Sequence, residues 1–556
     1  MKKLVVGSLV VGSCLMVQAD TMWYAKPDGG DDSDCLSWET AGTIANAVSK
    51  MEASGAGTED NRKWVVLRAG TPEEPAIYDL SSVSVPNANY IKISKAYAGI
   101  RSEADDADPR RIWVKGGGAD SPKRFLQIAG ANVRVRGLTI ANFVWTNDGN
   151  GYAAGIYGNA SAVIERCDFE GNQASYCGGV FGEQATVTGC TFRCNRSTTY
   201  EYAAAAWRCK AVDCTFTSNA NFAVREGIIS NSLFVANLGG IGRSATLCGC
   251  EIVSNRVVDT VRGSCLAHIY GGTVRDCLFY GNASPEQAGT AWTADIISGA
   301  AVENCTFVTN ETKIGRGGVY DCSKVTNCTF YANYGSQPLC CYCRGVSGCL
   351  FVSNSCSQVL ASGTIDRCRV LWNKGVAYAL YSQTASTMSN CLIAHNTGKY
   401  AVGGYKGMII RGCTIIDNDS STAGVGSGFA TAYPVSEISN SIITGNGSLD
   451  FETIRSDANY NCFTNVIYGK RSNGTGTWSG CKSLTKSELK FAEPDELHPY
   501  GYGLTMTSPA TDEGFDLGYA PDALDLAGTN RVLGAAVDIG CYEYAPQPVG
   551  LMIFVR

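Results

Sequence analysis

The sequence predicts an all-β solenoid, a parallel β-helix, and three observations predict it. A nine-residue phrase, apolar-x-turn-Cys-x-Phe/Ile/Val-x-x-Asn, recurs through the middle of the chain, as VTGCTFRCN at 187–195, VENCTFVTN at 302–310 and IRGCTIIDN at 410–418. Its closing asparagines, counted from Asn142 and Asn172 to Asn446, recur about every 23 residues. Helical periodicity is absent from the repeat. A unit this short cannot bury an apolar face alone and must stack on its neighbours.

Residues 1–19 read as an export signal, with Lys2 and Lys3, an apolar run from Leu4 to Met16, and Val17-Gln18-Ala19 before Asp20. Val11-Gly12-Ser13 before Cys14 leaves a lipoprotein reading open. The run is too short to cross a bilayer and no later segment is longer, so no transmembrane span is expected. Residues 20–124 are expected to form an N-terminal cap and the first coils, with a helix running to Met51 and strands at 64–67 and 90–94. An uncapped stack of strands would aggregate.

Residues 125–447 carry the repeats. Five places before the closing Asn stands Cys in eleven units, from Cys167 and Cys190 to Cys391 and Cys413, and Ser in two, Ser232 and Ser441. Three places before it stands Phe, Ile or Val. A separation of two puts both side chains on one face of a strand, pointing inward. Six places before the Asn stand Gly189, Asp213, Asn231, Gly249 and their counterparts, which tolerate left-handed backbone. The strand is therefore pinned between a corner there and a corner at the Asn, whose stacked amides can bond from coil to coil.

The Cys column reads as small buried thiols, because in-register side chains on parallel strands point the same way, a poor start for an S–S torsion. Cys35, Cys340, Cys341, Cys343, Cys462, Cys481 and Cys541, outside the column, are the better disulfide candidates. With three His and no paired CxxC, no metal site is expected. Residues 448–545 form a small C-terminal β region, and 546–556 a hydrophobic tail. An apolar content of 45% excludes disorder, and a net charge of −6 without a basic stripe excludes a nucleic-acid partner.

Eight units contain Phe-x-x-Asn literally, and Gly-Gly-apolar segments (Gly178-Gly179-Val180, Gly239-Gly240-Ile241, Gly317-Gly318-Val319) lie between them. This pairing resembles the polymorphic outer-membrane-protein repeats and, more broadly, the right-handed parallel β-helix proteins of the pectate-lyase superfamily. The resemblance implies a right-handed solenoid. In the outer-membrane proteins the helix is an adhesin passenger ahead of a C-terminal barrel; no barrel-length run of strands follows here. Ser508–Gly514, Asp525–Arg531 and Asp538–Tyr544 together resemble the choice-of-anchor Q type of region, which ends β-helix ectodomains.

The superfamily includes polysaccharide lyases and hydrolases. No hydrolase Asp trio with its His and Arg-x-Lys is present, and His268, His395 and His498 are isolated. A lyase would use calcium to acidify the proton beside a uronate carboxylate and an Arg or Lys as base. Arg208, Lys210, Arg225, Arg243, Asp295, Asp321 and Lys324 lie beside the Gly-Gly strands; they line a groove or are solvated strand ends. Trp145, Tyr152, Trp292 and Tyr433 sit on or near long coils, with Tyr200, Tyr202 and Trp207 in another; they stack on sugar rings or pack loops onto the solenoid.

The expectation is a monomeric, exported cell-surface or secreted protein that binds a polysaccharide or a cell-surface partner, in an adhesin-like role and without a cofactor. The alternative is a polysaccharide lyase on the same surface, for which calcium would be the cofactor.

Overall fold

The structure, a computed structural model, describes residues 20–81, 89–104, 107–121, 123–145, 152–158, 161–199, 202–256, 268–283, 295–312, 318–335, 339–361, 363–382, 386–404, 408–427, 437–450, 462–469, 477–492 and 502–544. The export signal, Trp292, Tyr200, Tyr433, His498 and the hydrophobic tail lie outside them. The chain forms two units, Met1–Thr191 and Phe192–Arg556. Both are built from parallel strands in register, and such crossover connections wind right-handed. The fold is a right-handed parallel β-helix.

In the first unit Thr21–Gly30, Lys63–Leu67, Ala98–Ser102, Val133–Arg136, Ala162–Glu165 and Thr186–Thr188 pair in succession. Helix Ile44–Ala53 packs its buried Ile44, Ala47, Val48 and Met51 on the first two of these strands. Its N-cap, Thr43, accepts from the Asn46 amide, and Lys50 lies in its last turn, where a cation suits the helix dipole.

One coil of the second unit shows the plan. A leading strand, Gly242–Arg243, turns at Ser244; a middle strand, Thr246–Cys248, turns at Gly249; a trailing strand, Glu251–Val253, turns at Ser254 and meets Asn255. The expected first corner is present, with φ between +46° and +62° at Asp213, Asn231, Gly249, Asp276, Asn304, Asn327, Gly348, Asn390, Gly412 and Asn440. The second corner falls one place before the expected residue. Ala236 (φ +51°), Thr309 (+49°), Ala332 (+52°) and Trp372 (+51°) take the left-handed conformation, which costs roughly 1–2 kcal/mol for a residue with a Cβ.

The buried Asn that follows holds this corner. Asn310 shows the pattern: its backbone N–H donates to Asn333 Oδ1 at 2.9 Å, and its Nδ2 donates to Phe279 O at 2.9 Å and to Asn333 Oδ1 at 3.0 Å. The ladder runs without a break from Asn195 to Asn446, where Asp450 Oδ1 replaces the next amide at 2.9 Å. Asn142 is not part of a ladder. Ile140 pairs with Phe169, so Asn142 aligns with Gly171 at the corner, and Phe143 takes the ladder place, its N–H donating to Asn172 Oδ1 at 3.0 Å. The strand between the two corners has the same length as in the next coil, so Asn142 stands in the corner place and not in the ladder place.

Inside, the Phe places form a ring stack, with centroids 4.6 Å apart for Phe279–Phe307 and Phe307–Phe330. The Cys column is a hydrogen-bonded ladder as well as a small-volume column. The Cys305 amide donates to Cys328 Sγ at 3.5 Å, and Cys328 Sγ donates to Thr326 O at 3.2 Å. Ser232 reproduces both bonds, from the Cys214 amide at 3.1 Å and to Ser230 O at 2.8 Å. Cys328→Ser is therefore expected to change unfolding free energy by under about 1 kcal/mol and Cys328→Val, which breaks both bonds, by about 1–3 kcal/mol. Chemical denaturation of the two variants checks this.

The disulfide candidates outside the column need correction. Cys35, Cys340 and Cys541 are buried thiols. Cys35 is wedged against Gly42 and Asn46, Cys340 is paired in register with Val319, and Cys541 donates its amide to Thr414 Oγ1 at 3.2 Å. Cys343 Sγ lies 3.7 Å from Val319 O and Cys481 Sγ 3.5 Å from Ser479 O. The side chains of Cys341 and Cys462 lie outside the description.

Candidate functional site

The leading strands of the second unit stack into a sheet with one in-register column of arginine and aromatic side chains, in which Trp207 and Ser298 are buried and Arg225, Arg243, Tyr270 and Tyr320 reach the surface. Trp207 pairs with Arg225, Arg225 with Arg243, Arg243 with Tyr270, Tyr270 with Ser298 and Ser298 with Tyr320. At ~4.8 Å per step the column is about 24 Å long. The corner after each strand is left-handed at Arg208, Glu226, Ser244, Gly271, Gly299, Asp321 and Tyr342, so a second column runs beside the first.

Three candidate cations converge here. Glu226 Oε2 accepts from Arg208 Nε at 2.6 Å and its Oε1 from Arg225 Nε at 2.8 Å. Burial pushes the Glu226 carboxyl up, but the hydrogen bonds from Arg208 and Arg225 outweigh it and hold the group below the ordinary value. The Arg225 guanidinium lies 4.3 Å from the Tyr202 ring centroid and 5.4 Å from Trp207; Arg243 lies 5.5 Å from Tyr270. Tyr270 is 39% exposed, and half-buried Tyr320 meets the exposed Tyr342 edge-on at 5.7 Å.

The other candidates go elsewhere. Asp321 occupies the corner column beyond Gly299. Lys210 opens a middle strand, Lys210–Val212, on the neighbouring sheet, as does Lys324, which pairs with Glu303. Asp295 is fully buried, and its carbonyl accepts from the His268 amide at 3.2 Å. Trp145, in the first unit, is 5% exposed and stacks 4.4 Å from the buried Arg124, whose Nε donates to Ala153 O at 2.6 Å. It is packing, not a sugar platform. His268 is buried with Nε2 3.2 Å from Ala283 O, and burial pulls it down to about 4, a neutral structural imidazole. Glu226, Tyr270, Tyr320 and Tyr342 were missed. Arg225-Glu226 and Ile269-Tyr270 were readable signals, but only strand register reveals that they share a face.

Among the described residues no three His, Cys, Asp or Glu side chains come together as a metal site. No described helix is long and apolar enough to cross a membrane.

Among solved structures, the chain is similar to pectate lyase Pel9A (12% identity, TM-score 0.21, covering 95% of this chain and 97% of that one). It is also similar to tailspike protein 3 of bacteriophage CBA120 (13%, TM-score 0.30, 79% and 60%) and to a mannuronic acid specific family 6 polysaccharide lyase from human gut microbiota (12%, TM-score 0.27, 80% and 89%). No protein-family model matches the sequence, and no curated protein matches it. Likeness at these values is one of fold, so function is argued from the chain's own residues.

Proposed function

We propose that this is an exported cell-surface or secreted protein that binds an acidic polysaccharide along the column from Arg225 to Tyr320. The observation that carries this is the in-register placement of Arg225 beside Arg243 on an outer face. Glu226 holds Arg225 through its Nε, and a carboxylate or sulfate bound between the two guanidiniums adds charge-assisted hydrogen bonds to both. Tyr270 and Tyr320, two coils further on, offer ring faces for the apolar sides of pyranoses. Glu226 fixes the Arg225 fork before any ligand arrives, which reduces the entropy lost on binding.

Affinity electrophoresis in gels containing polygalacturonate tests the reading. The chain is expected to be retarded, and Arg225→Gln or Arg243→Gln singly to weaken retardation about 10- to 100-fold, since each lost charged hydrogen bond is worth ~1.5–3 kcal/mol. Raising the salt is expected to weaken it as well. Retardation that ignores both changes sinks the site. Ultraviolet absorbance of an unsaturated product, dependent on Arg225 or Arg243, would replace the binding reading with a lyase.

A further inference from the structure

A second outward column runs down the trailing strands, where Val235, Val253, Tyr280, Val308 and Tyr331 pair in register. Tyr280 is 48% and Tyr331 49% exposed. Each is held by the buried phenylalanine before it, Phe279 and Phe330, which belong to the interior ring stack. The column two places earlier reads Leu233, Glu251, Leu278, Thr306 and Thr329, with one charge in five. At the next strand the face changes state. Val352, Leu371, Ala394 and Ile416 occupy the same column and are buried beneath Tyr502 and Tyr542 of the C-terminal segment. The face is thus apolar on both sides of Val352 and, among the described residues, covered on one.

We propose that the open part is a second glycan-binding face, taking a neutral oligosaccharide that lies along the coil axis with pyranose rings on Tyr280 and Tyr331. Size argues against a protein partner. The stripe is about 20 Å long and under 10 Å wide, against the roughly 800 Å² per partner that a stable protein interface buries. Its strands are hydrogen-bonded on both sides, so no peptide can add to it as a strand. A narrow, linear ligand held by ring faces remains. The two tyrosines stand two coils apart, ~9.6 Å, about two pyranose residues of an extended chain. The lack of cations in both columns selects a neutral sugar, whose hydroxyls Thr306, Thr329 and Glu251 can bond. This face uses different strands from the acidic-glycan strip and does not depend on it.

Calorimetric titration of the full chain with cellohexaose, mannohexaose and laminarihexaose tests it. At least one is expected to bind, about tenfold or more weaker after Tyr280→Ala or Tyr331→Ala, and unchanged by Tyr280→Phe and by Arg225→Gln. Absence of binding by all three, or binding that survives the double alanine variant, overturns the proposal. So does a concentration-dependent dimer in sedimentation that the double variant dissolves, which would make a second copy the occupant.

Discussion

Asn333→Leu is expected to lower the unfolding free energy by about 2–6 kcal/mol. Asn333 Oδ1 accepts from the Asn310 backbone amide at 2.9 Å and from Asn310 Nδ2 at 3.0 Å, while its own Nδ2 donates to Phe307 O at 2.9 Å. Leucine has similar volume but none of these groups. It leaves a buried N–H and a buried C=O without partners, at about 1–3 kcal/mol each. It also releases the left-handed corner at Ala332. Urea denaturation followed by circular dichroism measures the loss. Thr329→Val, on the outer face of the same strand, is the control and should stay within about 0.5 kcal/mol. Equal effects for the two would mean that the ladder is ornament.

The second large effect is Arg531→Met, expected to cost about 3–5 kcal/mol at pH values where Glu543 is ionised, the usual result of removing one partner from a buried ion pair. The three C-terminal motifs converge on this residue. Arg531 is fully buried; its Nη2 donates to Gly540 O at 2.6 Å and to Asp538 O at 3.2 Å, and its Nη1 lies 3.1 Å from Glu543 Oε1. Asp525 Oδ1 accepts from the Thr529 amide at 2.7 Å and its Oδ2 from the Glu543 amide at 2.9 Å; Asp538 Oδ1 accepts from Asp512 N at 2.6 Å. Gly412 must be glycine here: its φ is +56°, and a Cβ would meet Arg531 Nη2 at 2.6 Å.

The same network sets a pH dependence. Burial pushes the Glu543 carboxyl up to about 8, with Arg531 opposing and Asp538 adding to the rise; burial raises Asp525 and Asp538 as well. The folded chain therefore holds protons that the unfolded chain releases. Their stabilising contribution is full below the unfolded value of 4.5 and is lost as pH climbs toward 8. Without Arg531 only the Asp538 amide, which donates to Glu543, opposes the rise, so the deficit of the methionine variant should be smallest in acid and grow with pH. Limited proteolysis between residues 484 and 544 reads the loosening directly. A deficit independent of pH would show that Arg531 acts through packing alone.

Much of the fold was legible because it is periodic. The Phe-x-x-Asn spacing located the inward face, and the Gly/Asn/Asp places located the first corner, since left-handed backbone selects those residues. The second corner was misplaced by one because Ala236, Thr309 and Trp372 carry no left-handed signature; the neighbouring Asn enforces their conformation. The Cys column was read for volume, and the bond from Ser232 Oγ to Ser230 O shows that polarity matters too.

The site was less legible. Arg208, Arg225 and Arg243 were found as charges, but their company was not, because strand register depends on coil lengths that vary from unit to unit. Trp145 and Asp295 misled for one reason: burial against a distant element leaves no mark in local sequence. The three C-terminal stretches were visible as motifs, while their meaning, one buried charge network over the trailing-strand face, needed three segments brought together in space.

The most direct test of the central claim is a crystal structure of the chain with a hexagalacturonate. A sugar carboxylate is expected between the Arg225 and Arg243 guanidiniums, with pyranose rings over Tyr270 and Tyr320. An oligosaccharide ordered elsewhere, with these four side chains untouched, would contradict it.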